Sequence, residues 1–209
     1  MKLVAVADTH RAFEKLKVPD GDVFIQAGDI DVYNVSDAIR YNKWLGRLPH
    51  KHKLIVGGNH DQWLAENTMD YKRSVLSNGT YLENSGVEID GVKFWGSPIT
   101  PTFNDWFFMA DRGESIARYW DLVPEDTDVI ITHGPPKNIL DAAPRGCWFD
   151  YVGCEDLLKK IKRIKPKIHF FGHIHFSAGI EEKHGVKFCN VSVMNENYQV
   201  VNKPTEVEI

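Results

Sequence analysis

Apolar residues fall in short blocks along this chain. Lys2–Ala7 (KLVAVA), Val23–Ala27 (VFIQA), Lys53–Val56 (KLIV), Asp128–Thr132 (DVIIT) and Lys167–Phe171 (KIHFF) are near-continuous apolar runs. Runs of this length and β-branched content predict strands buried on both faces. Between them lie stretches of helical period. Ser36–Leu48 puts Ala38, Ile39, Trp44, Leu45 and Leu48 on one stripe, with Ser36 placed to cap it and Pro49 to stop it. Glu114–Trp120 also predicts a helix, as does Glu155–Ile164, which Pro166 stops. In the middle, Thr80–Leu82, Val87–Ile89 and Val92–Trp95 read as short strands, with a hairpin at Asp90-Gly91. The C-terminal part reads as antiparallel: Ala178–Lys183, a turn at His184-Gly185, Val186–Val193 and a last strand near Tyr198–Val201. Strands alternating with helices predict stacked α and β layers. No repeat or linker divides the chain, so residues 1–209 are expected to form a single domain.

Charge and cysteine usage narrow the classes. The net charge is −4, so no basic surface is expected to hold a long nucleic acid by its phosphates. A small phosphorylated molecule needs only a local positive site. The three cysteines, Cys147, Cys154 and Cys189, form no CxxC pair, which predicts no disulfide framework and a reducing cytoplasmic compartment. The opening apolar run stops at Asp8, too short for a signal peptide or a membrane span.

Five polar blocks close the apolar runs: Asp8-Thr9-His10, Gly28-Asp29, Gly58-Asn59-His60-Asp61, His133-Gly134 and Gly172-His173-Ile174-His175. Donors at strand ends lie where α/β sheets build their sites. Asp8 and His10 are two apart, as are His173 and His175, and alternate residues of an extended chain point the same way. Asp29 has two oxygens and can bridge two ions, Asn59 offers a carbonyl oxygen and His133 an imidazole. The blocks hold no cysteine, so mixed oxygen and nitrogen ligation of two divalent ions is expected. Manganese is the first expectation, and iron, zinc or cobalt also fit. A site left positive suits a phosphate ester. His60 is positioned to face substrate and protonate the leaving oxygen, with Asp61 fixing its tautomer. Singly, each block has an ordinary reading, such as a helix cap at Asp8 or Asp61, a tight turn at Gly57-Gly58-Asn59 or a strand face at His173 and His175. The ordered set outweighs these, because five of the nine histidines fall inside it.

In this order the motifs resemble those of the calcineurin-like metallophosphoesterases, over almost the whole chain. The resemblance implies an α/β fold, a four-layer α/β/β/α sandwich with two mixed β-sheets flanked by helices. It implies that Asp8, His10, Asp29 and His175 hold one metal ion, and that Asp29, Asn59, His133 and His173 hold a second. Tyr41–Pro49 (YNKWLGRLP), Thr100–Ser115 (TPTFNDWFFMADRGES) and Thr132–Pro136 (THGPP) further resemble the vertebrate metallophosphoesterase-domain-containing proteins and their microbial relatives. That subgroup implies phosphodiesterase action on nucleotide-type esters. Some vertebrate members lack the first histidine of the last motif and are weakly active, whereas His173 is present here. Vertebrate members carry Glu where this chain has Asp61.

Asn104 and Trp106, in the aromatic central loop, are candidate substrate contacts, Trp106 by stacking on a base. Phe107 and Phe108 read as packing. Arg112 and Arg145 are candidates for holding a phosphate bidentately. The expectation is hydrolysis of small phosphodiesters, cyclic or otherwise nucleotide-like, by a metal-activated hydroxide, with neither a membrane nor a long nucleic acid as partner. The alternatives are a phosphomonoesterase or protein phosphatase, a nucleotide-binding protein with weak activity, and a nuclease, which the lack of basic excess disfavours.

Overall fold

A computed structural model describes residues 1–209. The two faces of each apolar run feed different cores. In β1 (Lys2–Val6), Leu3 and Ala5 oppose Val6; in β2 (Val23–Ala27), Val23, Ile25 and Ala27 oppose Phe24; in β3 (His52–Val56), Leu54 and Val56 oppose Ile55. β4 (Thr80–Tyr81) extends this parallel run. β5 (Ser85–Ile89) and β6 (Val92–Ser97) form the hairpin expected at Asp90-Gly91, both turn residues being left-handed at φ 48° and 82°. A short pair follows, β7 (Thr100–Pro101) with β8 (Met109–Ala110), then β9 (Val129–Thr132). A separate hairpin, β10 (Ala142–Arg145) and β11 (Trp148–Tyr151), precedes β12 (Ile168–Phe171), β13 (Gly179–Lys183) and β14 (Val186–Asn190). β15 (Thr205–Glu208) returns to pair with β1.

The first sheet has the order β15-β1-β2-β3-β4 and the second β13-β14-β12-β9-β6-β5. Both are mixed: β15 is antiparallel to β1, and β13 and β5 are antiparallel to their neighbours. Leu3, Ile25, Val56, Phe94, Val129 and Phe170 pack between the sheets. On the outside of the first sheet, Phe24 and Ile55 meet Tyr41 and Trp44 of α1 (Val35–Leu45) and Leu64 of α2 (Gln62–Glu66), beside α3 (Met69–Val75). On the outside of the second, Trp95 and Ile130 meet Ile116 and Trp120 of α4 (Glu114–Asp121) and Leu157 and Ile161 of α5 (Glu155–Ile164). The layers run α/β/β/α.

Three local expectations change. The cap of α1 is Asn34 instead of Ser36: its extended backbone lets Oδ1 accept from Ser36 N and Asp37 N at 2.9 and 3.1 Å, and the helix ends at Leu45. Tyr198–Val201 is not a strand, because a tight turn closed by the Met194–Val200 bridge occupies that stretch. The edge strand is Thr205–Glu208, where only Val207 is buried, so no apolar run announced it. No helix is long and apolar enough to cross a membrane.

Candidate metal centre

The five polar blocks follow β1, β2, β3, β9 and β12, whose directions within each sheet are parallel, and they converge at one end of the sandwich. Strand alternation is not what aims the donors. Asp8, His10, Asp29 and His173 lie past the strand ends in left-handed backbone, at φ 56°, 38°, 53° and 71°. Such residues cost about 1–2 kcal/mol each outside glycine. Backbone bonds hold them, Asp8 N donating to Gly28 O at 3.0 Å and His10 N to Asp29 O at 3.1 Å. The glycines of the motifs allow close approach: a Cβ at Gly58 would stand 2.2 Å from Asp29 Oδ1, and one at Gly172 2.4 Å from Asp8 Oδ2.

The predicted ligands gather in two groups, Asp8 with His10 and His175, and Asp29 with His133 and His173, the ligating atoms of each lying within 4.8 Å of one another; a third group of the same closeness joins His10 to Asp31 and His60. Asn59 Oδ1 is 2.9 Å from His133 Nε2, and Asp29 Oδ2 is 3.3 Å from the same nitrogen. Asp29 Oδ2 is also 3.9 Å from His10 Nε2, so this one carboxylate reaches both groups. The far nitrogens fix the tautomers. His10 Nδ1 donates to Asp31 Oδ1 (2.8 Å), His133 Nδ1 to Ala27 O (3.1 Å) and His175 Nδ1 to Asn195 O (3.0 Å). With Nδ1 donating, each ring in its neutral form leaves Nε2 as an electron-pair donor. The Nε2 atoms of His10 and His175 face each other at 3.3 Å, and although burial lowers the His10 pKa, Asp31 and Asp29 outweigh it and raise it. A cation between these nitrogens can take the place of a proton, so the donor set fits divalent metal.

The charges agree. Burial pushes Asp29 up, but His133, His60 and His10 outweigh it and hold the carboxylate below its ordinary range. Burial likewise lowers His133, yet Asp29 draws its pKa up to about 9 in the metal-free protein. Metal binding has to displace that proton. Burial, with His133 adding to it, lowers His173.

His60 stands beside both groups. Its backbone N–H donates to Asp29 Oδ1 at 2.9 Å, and its Nε2 lies 4.0 Å from Asp29 Oδ2. Its Nδ1 faces Tyr33 Oη at 3.5 Å and Asp31 Oδ1 at 3.8 Å, and burial lowers its pKa. Asp61 does not hold this ring. Its buried carboxylate accepts the backbone N–H of Gly58 (2.8 Å), Val32 (3.0 Å) and Ile30 (3.1 Å). Facing inward, it ties the loop after β2, which carries Asp29, to the loop after β3, which carries Asn59 and His60. Burial and Asp29 raise its pKa to about 7 against those donors. The carboxylate nearest His60 Nδ1 is Asp31, which the sequence reading missed; its position two residues beyond Asp29 was the available signal.

Above these residues opens a cleft of roughly 360 Å³. Trp106 lies over His60 with ring centroids 4.2 Å apart, as a substrate-facing residue would. Arg145 is on the cleft lip, paired with Asp150 at 3.1 Å. Asn104 occupies a left-handed turn position, φ 49°, and does not line the cleft. Arg112 does not line this cleft; its guanidinium donates to Gly153 O (2.7 Å) and Val152 O (2.5 Å) and anchors the foot of the β10–β11 hairpin. Phe103 against His173 (5.1 Å) and Tyr198 against His10 (4.7 Å) complete the rim; the sequence reading singled out neither, though Phe103 lies in the Thr100–Ser115 segment.

A family model described as calcineurin-like phosphoesterase matches residues 1–177. The chain is 34% identical to human "Metallophosphoesterase domain-containing protein 1" over 100% of its own length and 71% of that protein. It is 37% identical to a UPF0046 protein of Caenorhabditis elegans over 98% of this chain and 73% of that one. Among solved structures, phosphopantetheinyl hydrolase of Mycobacterium tuberculosis aligns with a TM-score of 0.62 at 16% identity, covering 94% of this chain and 90% of that one, a likeness of fold.

Proposed function

This chain belongs to the calcineurin-like phosphoesterase family, and from that premise we propose that it is a single-domain, dinuclear phosphodiesterase of small, nucleotide-type esters. The observation that carries the reading is the pair of Nε2 atoms on His10 and His175 facing each other at 3.3 Å, with Asp29 shared between that group and the His133 group. Asp8, His10, Asp29 and His175 hold the first ion, and Asp29, Asn59, His133 and His173 the second. Manganese is the first choice. The bound ions supply Lewis acidity and an activated water. The chain's own residues do the rest. Asp29 fixes the spacing of the two groups, and its Oδ1 anchors the His60 backbone. His60 carries a proton toward the leaving oxygen, with Tyr33 Oη 3.5 Å and Asp31 Oδ1 3.8 Å from its Nδ1. Tyr33, raised to about 12 by burial and Asp31, stays protonated. Trp106 stacks on the organic part of the ester, and Arg145 meets its charge at the lip. The free cysteines suit a cytoplasmic setting.

The test is a substrate panel with manganese-loaded protein: 2′,3′-cyclic nucleotides, a model diester and its matched monoester. Chelation should abolish turnover, and manganese should restore it. Diesters should be cleaved more efficiently than the monoester. A monoester preference with every metal would make the protein a phosphatase, and turnover by demetallated protein would remove the metal reading.

A further inference from the structure

We propose that Tyr198 is a ring-recognising wall of this cleft, selecting phosphoesters whose organic group is planar and aromatic; the inference rests on the phosphoesterase reading above. Tyr198 is 55% exposed, so its ring contributes little to any core. Its backbone is left-handed at φ 56°, where Asn or Gly would sit at lower cost. The turn imposes this. Asn195 Oδ1 accepts from Asn197 N and Gln199 N, both at 3.0 Å, and Tyr198 N donates to Asn195 O at 3.0 Å. That same carbonyl accepts from His175 Nδ1. One turn therefore orients a metal donor and presents a strained tyrosine beside it. Strain held by a surrounding network points to use of the side chain.

The ring meets His10 and His175 edge-on, with centroids 4.7 and 5.5 Å away, so it stands at the entrance to the first donor group. His60, 5.0 Å from His10, carries the second exposed ring, Trp106. Two exposed aromatic rings thus rise from neighbouring imidazoles of one floor. An ester bound there places its organic group against their π-faces, and a planar ring gains from stacking where an alkyl group does not.

Calorimetric binding of phenylphosphonate and methylphosphonate to the manganese-supplemented full chain tests this without turnover. The wild type should prefer the phenyl ligand. Tyr198→Ala should lose about tenfold of that preference, equivalent to about 1.4 kcal/mol, with metal content unchanged. Tyr198→Asn, which suits the left-handed backbone but lacks the ring, should lose as much, and Tyr198→Phe should restore it. No phenyl preference in the wild type, equal weakening of both ligands, or loss of metal from Tyr198→Asn would overturn the proposal and leave Tyr198 as packing for His10 and His175. Turnover of a model diester is read separately. A phenyl preference that depends on Tyr198, in a protein that cleaves no ester, would overturn the phosphoesterase reading and uphold the ring wall.

Discussion

The floor of the cleft and its hairpin wall are built by opposite means. At the floor, Asp8, Asp29, Asn59 and His133 are buried, and hydrogen bonds fix their side chains before any ligand arrives. At the wall, all four residues of β11 are exposed, Trp148 at 66%, on a two-stranded ribbon that pairs with neither main sheet. Such a ribbon is marginal alone. It is tied down at its foot, where buried Asp141 accepts Gly153 N at 3.0 Å and Arg112 holds two carbonyls. Preorganisation sits where charge must be placed, and the hairpin at the lip, exposed and outside both main sheets, carries less of it. Substitutions at the floor should therefore cost much, and those at the wall little.

The sharpest test of that division is His60→Asn. The substitution deletes a proton carrier from the floor but no proposed metal donor. Turnover should fall by about 10²–10⁴-fold, or about 3–5 kcal/mol, with both ions retained. The fall should shrink for esters with good leaving groups, which need little protonation. Elemental analysis beside rates on graded leaving groups decides it. Loss of metal would make His60 a ligand and blur floor chemistry into floor scaffolding.

Asp61→Ala tests the scaffolding itself. It would leave three buried amides, those of Gly58, Val32 and Ile30, without an acceptor. A cost of about 3 kcal/mol or more in urea unfolding is expected, since each orphaned buried group costs about 1–3 kcal/mol. An unfolding midpoint close to wild type would show that water replaces the carboxylate and that the floor is looser than its hydrogen bonds indicate.

Legibility in the sequence divides along the same line. The floor could be read because buried strands must be apolar runs, and the donors then stand out at their ends. Asp8, His10, Asp29, Asn59, His133, His173 and His175 all come together as the motif order implied. What misled was direction. Asp61 faces the backbone of the β2 and β3 loops instead of His60, because the loop after β3 turns back at Gly58, and spacing alone does not reveal which way a turn points. The wall could not be read. Ala142–Tyr151 contains Pro, Gly and exposed aromatics, no buried face imposes a period on it, and α2 is too short for one to show.

Two histidines on the paired strands β9 and β12 sharpen the contrast between strand end and strand body. His133 and His169 are both fully buried, but only His133 has a carboxylate beside it. His169 meets Thr132 Oγ1 at 2.8 Å, its Nδ1 has no partner, and burial pushes its pKa down to about 3. In the unfolded chain the value is about 6.5. Between these values the unfolded state binds more protons, so the contribution is fully present above pH 6.5 and is lost as pH falls toward 3. The stability difference between wild type and His169→Gln, in chelator, should be flat above neutrality. It should fall by up to about 1.4 kcal/mol per pH unit below 6.5, or about 2 kcal/mol at pH 5. A flat difference throughout would show that water reaches this strand.

The smallest effect belongs to the wall. Arg145 is exposed, and its ion pair with Asp150 is exposed as well, the two side chains being 62% and 51% accessible. Exposed pairs contribute under about 1 kcal/mol, so Arg145→Ala should barely move the unfolding midpoint and should leave metal content unchanged. Its reach over the cleft lip should still matter to an anionic ester on approach. The expected result is a KM for the model diester raised by a few-fold, with the effect confined to KM. Because the charge faces solvent, that rise should fade as ionic strength passes about 0.15 M, where the Debye length is about 8 Å. A fall in kcat, or a KM effect that persists at about 1 M salt, would place Arg145 in direct contact with the reacting phosphoryl group. The hairpin would then be part of the floor's chemistry, and the division between rigid floor and exposed wall would fail at that residue.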